Sequence, residues 1–133
     1  MTIINPIADM FTRIRNAILI KSNSVEIPHS NMKTSICEIL YKEGFIGDFL
    51  TINDDLVKKK IKVKIKYDKN GNSVINELKV ISKPSKRIYL KKCDIPKPLN
   101  GYGLVILSTS DGILTGKEAR LANKGGELLA EVN

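Results

Sequence analysis

Between Lys60 and Tyr67 the chain alternates strictly, Lys60, Lys62, Lys64 and Lys66 interleaving with Ile61, Val63, Ile65 and Tyr67. A β-strand turns successive side chains to opposite faces, so this octet reads as a strand with four lysines on one face and four apolar groups on the other. The lysine face can serve as a platform for nucleic acid, although a solvated sheet face is the commoner meaning of the pattern. Asn70-Gly71 follows as a type I′ hairpin signal, which makes Val74 to Ile81 the returning strand.

Helices precede this sheet. Asn5 can cap a first helix with Pro6 at its first position, and Ile7, Met10, Phe11, Ile14 and Ile18 form one apolar stripe at helical spacing. Asp9 and Arg13 stand four apart and can pair, while Arg13, Arg15 and Asn16 lie off the stripe. Val25-Glu26-Ile27 reads as a short strand before Pro28. Ser30 then caps a second helix with Met32, Ile36, Ile39 and Leu40 on one face and Gly44 as its stop. Phe45 to Leu50 begins another strand.

Downstream the texture changes. Lys83-Pro84-Ser85-Lys86-Arg87-Ile88-Tyr89 is basic and proline-marked, Lys91-Lys92 and Lys97 extend it, and Pro96 and Pro98 bar regular structure. Gly101-Tyr102-Gly103 opens a buried strand, Leu104 to Leu107, that runs into the polar turn Ser108-Thr109-Ser110-Asp111-Gly112. Thr115 and Glu118 are spaced as a capping box for a short helix through Asn123, and Gly125-Gly126 leads into a last strand from Glu127 to Val132. These elements define an α/β chain of the α+β type with two small lobes. Residues 1–82 form an N-terminal helix-strand-helix-plus-sheet lobe, and residues 83–133 form a mainly β lobe with one short helix. A length of 133 residues suits one compact domain or two such lobes sharing an interface.

Charge points to a partner. Residues 51–100 carry 14 basic and 5 acidic side chains, a net of +9, whereas residues 1–50 are neutral and residues 101–133 carry −1. A positive field of that density attracts polyanions, because each neutralised phosphate releases condensed counterions. Nucleic acid leads over an acidic membrane surface or plain solubilising charge. No apolar run approaches the roughly 20 residues that span a bilayer. The N-terminus also lacks the basic start and apolar core of a signal peptide, so an unexported, soluble protein is expected.

Catalysis finds no support. The single histidine, His29, reads as a loop residue before a helix cap and has no nucleophile at a useful spacing. Ser108-Thr109-Ser110 is not a G-x-S-x-G elbow, and Gly101-Tyr102-Gly103 lacks the third glycine of a dinucleotide fingerprint. Asp54-Asp55 has no second acidic cluster for magnesium, and Cys37 and Cys93 are too few for zinc. A disulfide between them is not expected without export. No catalytic residue, metal, cofactor, small-molecule substrate or membrane partner is therefore expected. Three successive hydroxyls on a rigid strand end can, in contrast, donate and accept at short reach, as irregular RNA requires.

Four blocks carry a resemblance. They are residues 5–17, which run from Asn5-Pro6-Ile7-Ala8-Asp9 to Asn16-Ala17; Lys42-Glu43-Gly44-Phe45-Ile46; Ser82-Lys83-Pro84 with Lys86-Arg87-Ile88-Tyr89; and Gly101 through Gly126-Glu127. In this order they resemble the bacterial-type small-subunit ribosomal protein eight family over essentially the whole chain. The serine-threonine-serine turn, the T-x-x-E-A-R helix and the closing G-G-E make the set specific.

The resemblance implies a two-lobed structural constituent of the small ribosomal subunit. Such a protein is a primary binder of the central domain of small-subunit rRNA, supports assembly, and has neighbouring ribosomal proteins as partners, in a bacterial cytoplasm or an organelle such as a plastid. It implies RNA contacts by Ser108, Thr109 and Ser110, by Lys83, Lys86, Arg87 and Tyr89, and by Arg13, Arg15 and Asn16 toward a second rRNA segment. Glu127 would either accept hydrogen bonds from RNA or order the adjoining loop. Repression of the chain's own operon messenger and generic basic RNA binding are the alternative functions. The sequence departs from the family pattern at Ser85, where a glycine is usual, at Gly116-Lys117, and at Glu131, where an aromatic is common.

Overall fold

The computed structural model describes residues 6–53, 59–83, 85–91, 95 and 103–133. The expected Asn5 cap, Asp54-Asp55, Pro84, Lys92, Cys93, Pro96, Lys97, Pro98 and Gly101-Tyr102 lie outside them. Two compact units result, one of Ile7–Ile75 and one built on Asn76–Asn133. Three helices and two antiparallel sheets among the described residues make the chain α+β, as its patterning indicated.

The first unit comprises α1 (Pro6–Leu19), β1 (Ser24–Pro28), α2 (Asn31–Lys42), β2 (Ile46–Ile52) and β3 (Lys60–Ile65). β3 lies in the middle of a β1-β3-β2 sheet. Its alternation is realised over six of the eight expected residues: Ile61, Val63 and Ile65 are buried while Lys60, Lys62 and Lys64 are exposed, and the strand ends at Ile65, leaving Lys66 and the half-buried Tyr67 beyond it. α1 buries Ile7, Met10, Phe11 and Ile14 as expected, while Ala17 is buried at the end of the stripe and the expected Ile18 is only half-buried. In α2 the Ser30 hydroxyl accepts the Lys33 N–H at 3.1 Å, and Gly44 closes the helix at φ 82°.

The covered face of α2 differs from the expected one. Met32 is exposed, and Lys33 takes the inward position beside Ile36, Cys37, Ile39 and Leu40. The long aliphatic stem of a lysine can be buried if its ammonium finds an acceptor, and Lys33 Nζ donates to the Pro28 carbonyl at 3.2 Å. Desolvation lowers the Lys33 pKa, opposed by the attraction of Asp9. Burial also pushes the Cys37 thiol up to about 12.

The segment after β3 corrects the hairpin reading twice. A type I′ turn needs positive φ at both central residues, yet only Gly71 has it, at 82°. The Asp68 carboxylate closes the turn instead, accepting the N–H groups of Asn70 and Asn72 at 2.8 and 2.9 Å. Return pairing with this strand is limited to one bridge, Tyr67 to Ser73. Leu78–Val80 then pairs with the last strand of the second unit, so the units divide at Ile75/Asn76, upstream of the change in texture at Ser82.

That second unit contains β4 (Leu78–Val80), β5 (Tyr89–Leu90), β6 (Leu104–Thr109), β7 (Gly112–Thr115), α3 (Gly116–Leu121) and β8 (Gly126–Val132). The order is β4-β8-β6-β7, with β5 also on β8. Ile95, Val105, Leu107, Ala119 and Leu128 form one buried cluster in it, with Ile81, Ile88, Leu90 and Leu114 packed against them. α3 starts with the expected capping box: the Thr115 hydroxyl accepts from Glu118 N–H, and the Glu118 carboxylate accepts from Thr115 N–H, each at 3.1 Å. The helix stops at the Ala122 cap, short of Asn123.

Candidate nucleic-acid interface

Sheet pairing builds a surface here that no single stretch of sequence contains. Opposed residues of antiparallel strands present their side chains on the same face. Tyr89 of β5 stands opposite Glu127 of β8, and Glu127 stands opposite Ser108 of β6. An aromatic ring, a carboxylate and a hydroxyl therefore stand abreast across three strands. Tyr89 is 70% exposed, which leaves its ring face open to stacking.

Two glycines permit this closeness. A Cβ on Gly126 would strike the Ser108 carbonyl oxygen, and one on Gly125 would strike that of Leu90. Both obstacles are backbone and cannot swing away, so the G-G pair lets β5, β8 and β6 draw together beneath Tyr89, Glu127 and Ser108.

The serine-threonine-serine run is partly strand rather than a loose turn. Ser108 and Thr109 belong to β6, and Thr109 pairs with Gly112 around a two-residue tip, Ser110-Asp111. The Thr109 hydroxyl donates to the Gly112 carbonyl at 2.9 Å and accepts the Asp111 N–H at 3.1 Å. It is thus spent on holding the tip. Ser110 is the exposed hydroxyl at the end of the hairpin. Lys124, which sequence reasoning missed, reaches the tip from beyond α3; its ammonium lies 3.3 Å from Ser110 Oγ and 3.5 Å from Asp111 Oδ2. Its place just before Gly125-Gly126 was the available signal.

The basic loop is anchored at its base. Ser82 is buried, and its hydroxyl accepts the Ile88 N–H at 3.0 Å, closing the excursion between β4 and β5. Lys83 and Lys86 exchange backbone hydrogen bonds at 3.0 and 2.9 Å, so both lysines ride a tight, exposed turn. Arg87 Nη1 lies 3.1 Å from Glu127 Oε2, and that carboxylate is only 13% exposed. Of the two roles open to Glu127, ordering the loop is the one with a visible contact.

The second unit thus gathers Lys83, Lys86, Arg87, Tyr89, Ser108, Thr109, Ser110 and Glu127. Arg13, Arg15 and Asn16 belong to the other unit, where they are exposed on α1 and Arg13 Nε donates to Asp9 Oδ2 at 2.9 Å. Among the described residues no group of three or more His, Cys, Asp or Glu could hold a metal ion, and no helix is long and apolar enough to cross a membrane.

Fold and site together describe a basic α+β protein that presents hydroxyls, cations and an aromatic from one small sheet. The family described as Ribosomal protein S8 matches residues 5–133. The chain is 52% identical over 132 residues to the small ribosomal subunit protein uS8 of Streptococcus pyogenes serotype M5 (strain Manfredo), covering 99% of both chains. The uS8 proteins of serotypes M1 and M18 (strain MGAS8232) match at the same 52% and the same coverage. The chain belongs to the ribosomal protein S8 family; it is a ribosomal protein and not an enzyme.

Proposed function

We propose that this constituent of the small ribosomal subunit anchors on an irregular helix in the central domain of small-subunit rRNA, and that its docking supports subunit assembly. The observation that carries the reading is the placement of Tyr89, Glu127 and Ser108 abreast, beside a hairpin tip that presents Ser110 and Lys124. A deep, narrow major groove hides the base edges of regular RNA, so sequence is read where bases are unstacked. Ser108 and Ser110 supply short, two-way hydrogen bonding to such bases, and Tyr89 supplies a stacking surface. Lys83, Lys86 and Arg87 hold the adjoining phosphates, which fixes register without reading sequence. Thr109 and Glu127 act through others, one by shaping the tip and one by aiming Arg87. Arg13, Arg15 and Asn16 on α1 meet a second rRNA segment.

Two single variants test this division of labour. Ser110→Ala is expected to cost about 1–3 kcal/mol on a bulged central-domain helix and little on a fully paired one. Lys86→Ala is expected to weaken both RNAs alike and to reduce the slope of log affinity against log salt by about 1. Equal losses for both variants on both RNAs would overturn the assignment.

A further inference from the structure

The lysine face of β3, Lys60, Lys62 and Lys64 with Lys66 just beyond the strand, has no part in this function. On that face Lys60, Lys62 and Lys64 stand opposite Pro28, Glu26 and Ser24 of β1 and opposite Ile52, Leu50 and Asp48 of β2. Glu26 is engaged by Lys60, whose ammonium lies 3.7 Å from Glu26 Oε2. Among the described residues no ion pair holds Lys62, Lys64 or Lys66, and Asp48 is the other acidic residue opposite them. A depression of about 300 Å³ opens beside Lys62 and Lys64, lined also by Asn23, Ser24, Asp48, Phe49 and Leu50. Leu50, an exposed apolar side chain, is part of its lining.

We propose that this sheet face is a further RNA-binding surface, separate from that of α1, in which Lys62 and Lys64 of β3 and Lys66 just beyond its end hold successive phosphates of one strand and the depression beside Leu50 receives an unstacked nucleotide. Residues two apart on a strand are separated by about 6.6 Å, a spacing comparable to that of successive phosphates along an RNA chain. Like charges held at that spacing repel one another in the free protein, so the row adds nothing to folding that threonines would not supply. A polyanion removes the repulsion and releases counterions at the same time. Asn23 and Ser24 offer short hydrogen bonds at the rim, and Leu50 offers apolar surface to a base. The surface belongs to the first unit, whereas the hairpin belongs to the second, so a long RNA is held at two points and gains by effective concentration. The inference rests on the rRNA-anchor reading and adds to it a contact on the sheet of the first unit.

The test compares the full chain with two triple variants, one carrying Lys62→Gln, Lys64→Gln and Lys66→Gln and one carrying arginine at the same positions. Each is bound to a transcript of the whole central domain and to a short bulged helix from it, across a salt series. The glutamine variant is expected to bind the short helix as the parent does. On the long transcript it should lose roughly tenfold or more in affinity and about 2 in the slope of log affinity against log salt, at about 0.7–0.9 per phosphate. The arginine variant should restore the slope, and all three proteins should melt alike, because the substituted side chains are exposed. An unchanged slope on the long transcript overturns the proposal. So does an equal loss on the short helix, which would make the lysines a general positive field. Unchanged RNA binding with lost incorporation alongside other ribosomal proteins would also overturn it, by assigning the face to a protein partner. Loss of bulge preference by the parent chain would instead strike the anchor reading, and the slope difference would still decide this one.

Discussion

Gly126→Ala is the substitution that most sharply probes how the interface is built. The added Cβ would meet the Ser108 carbonyl oxygen, with the Ser108 carbonyl carbon at 3.0 Å and Thr109 Cγ2 at 3.2 Å. Since the first obstacle is backbone, relief requires β6 and β8 to part at the end that carries Ser108 and Glu127. Overpacking of this kind costs about 1–3 kcal/mol, and weakening one ladder hydrogen bond adds about 1 kcal/mol. The expected loss is therefore about 2–4 kcal/mol, a large share of the ~5–15 kcal/mol that holds a typical domain together. Urea unfolding of the full chain measures it. Gly112→Ala is the control: a Cβ there meets nothing within 4 Å, although φ is +107°. Backbone strain alone should then cost about 1–3 kcal/mol and leave β8 in place. In RNA binding at a temperature where it is folded, Gly126→Ala should lose bulge preference while keeping most of its affinity for paired RNA, since Lys83, Lys86 and Arg87 remain. A Gly126→Ala protein within about 0.5 kcal/mol of the parent and with its preference intact would refute the reasoning.

Two further outcomes concern stability and reactivity. Thr115→Ala breaks the capping box of α3 and should cost about 0.5–2 kcal/mol in urea without altering RNA preference, because Thr115 stands opposite Ile106, at the far end of the β6–β7 ladder from the tip. Cys37 is buried, with its thiol raised from 9.0 to about 12. In a Cys93→Ser background it should resist alkylation at pH 8–9 until the chain unfolds, and rapid native labelling would contradict its placement. The same shift has a defined sign. A thiol held neutral in the folded state gives its full contribution below pH 9.0, and that contribution is lost as pH rises toward about 12, where only the unfolded chain gains from ionisation.

Local chemistry was legible because it acts over a few residues. The β3 alternation, the Ser30 cap, the Gly44 stop and the Thr115–Glu118 box each depend on spacings of two to four positions, and each stands as read. Pairing across the sheet is different. Nothing near Leu78–Val80 announces that it will join β8, more than 40 residues away, rather than return along β3. Separation along the chain likewise hid the alignment of Tyr89 with Glu127 and Ser108, although each residue was singled out by itself. Lys33 misled because a lysine at an inward helical position reads as polar surface, when its stem can fill the core and its ammonium can bond Pro28. At the Asn70-Gly71 turn the dipeptide suggested one geometry, but the Asp68 carboxylate, two residues earlier, imposed another. The tip lysine, Lys124, was marked only by its place before Gly125-Gly126, because its contacts with Ser110 and Asp111 arise across 13 to 14 residues of chain.

The central claim is that a small hydroxyl-bearing hairpin reads one irregular RNA helix while the cations around it supply affinity. Binding of the unmodified chain to a short copy of the central-domain helix, with and without its internal bulge at two salt concentrations, tests it most directly. The account predicts that total affinity falls with salt while the preference for the bulged RNA persists, because phosphate contacts are screened and base contacts are not. Equal binding to both RNAs, lost together as salt rises, would contradict it.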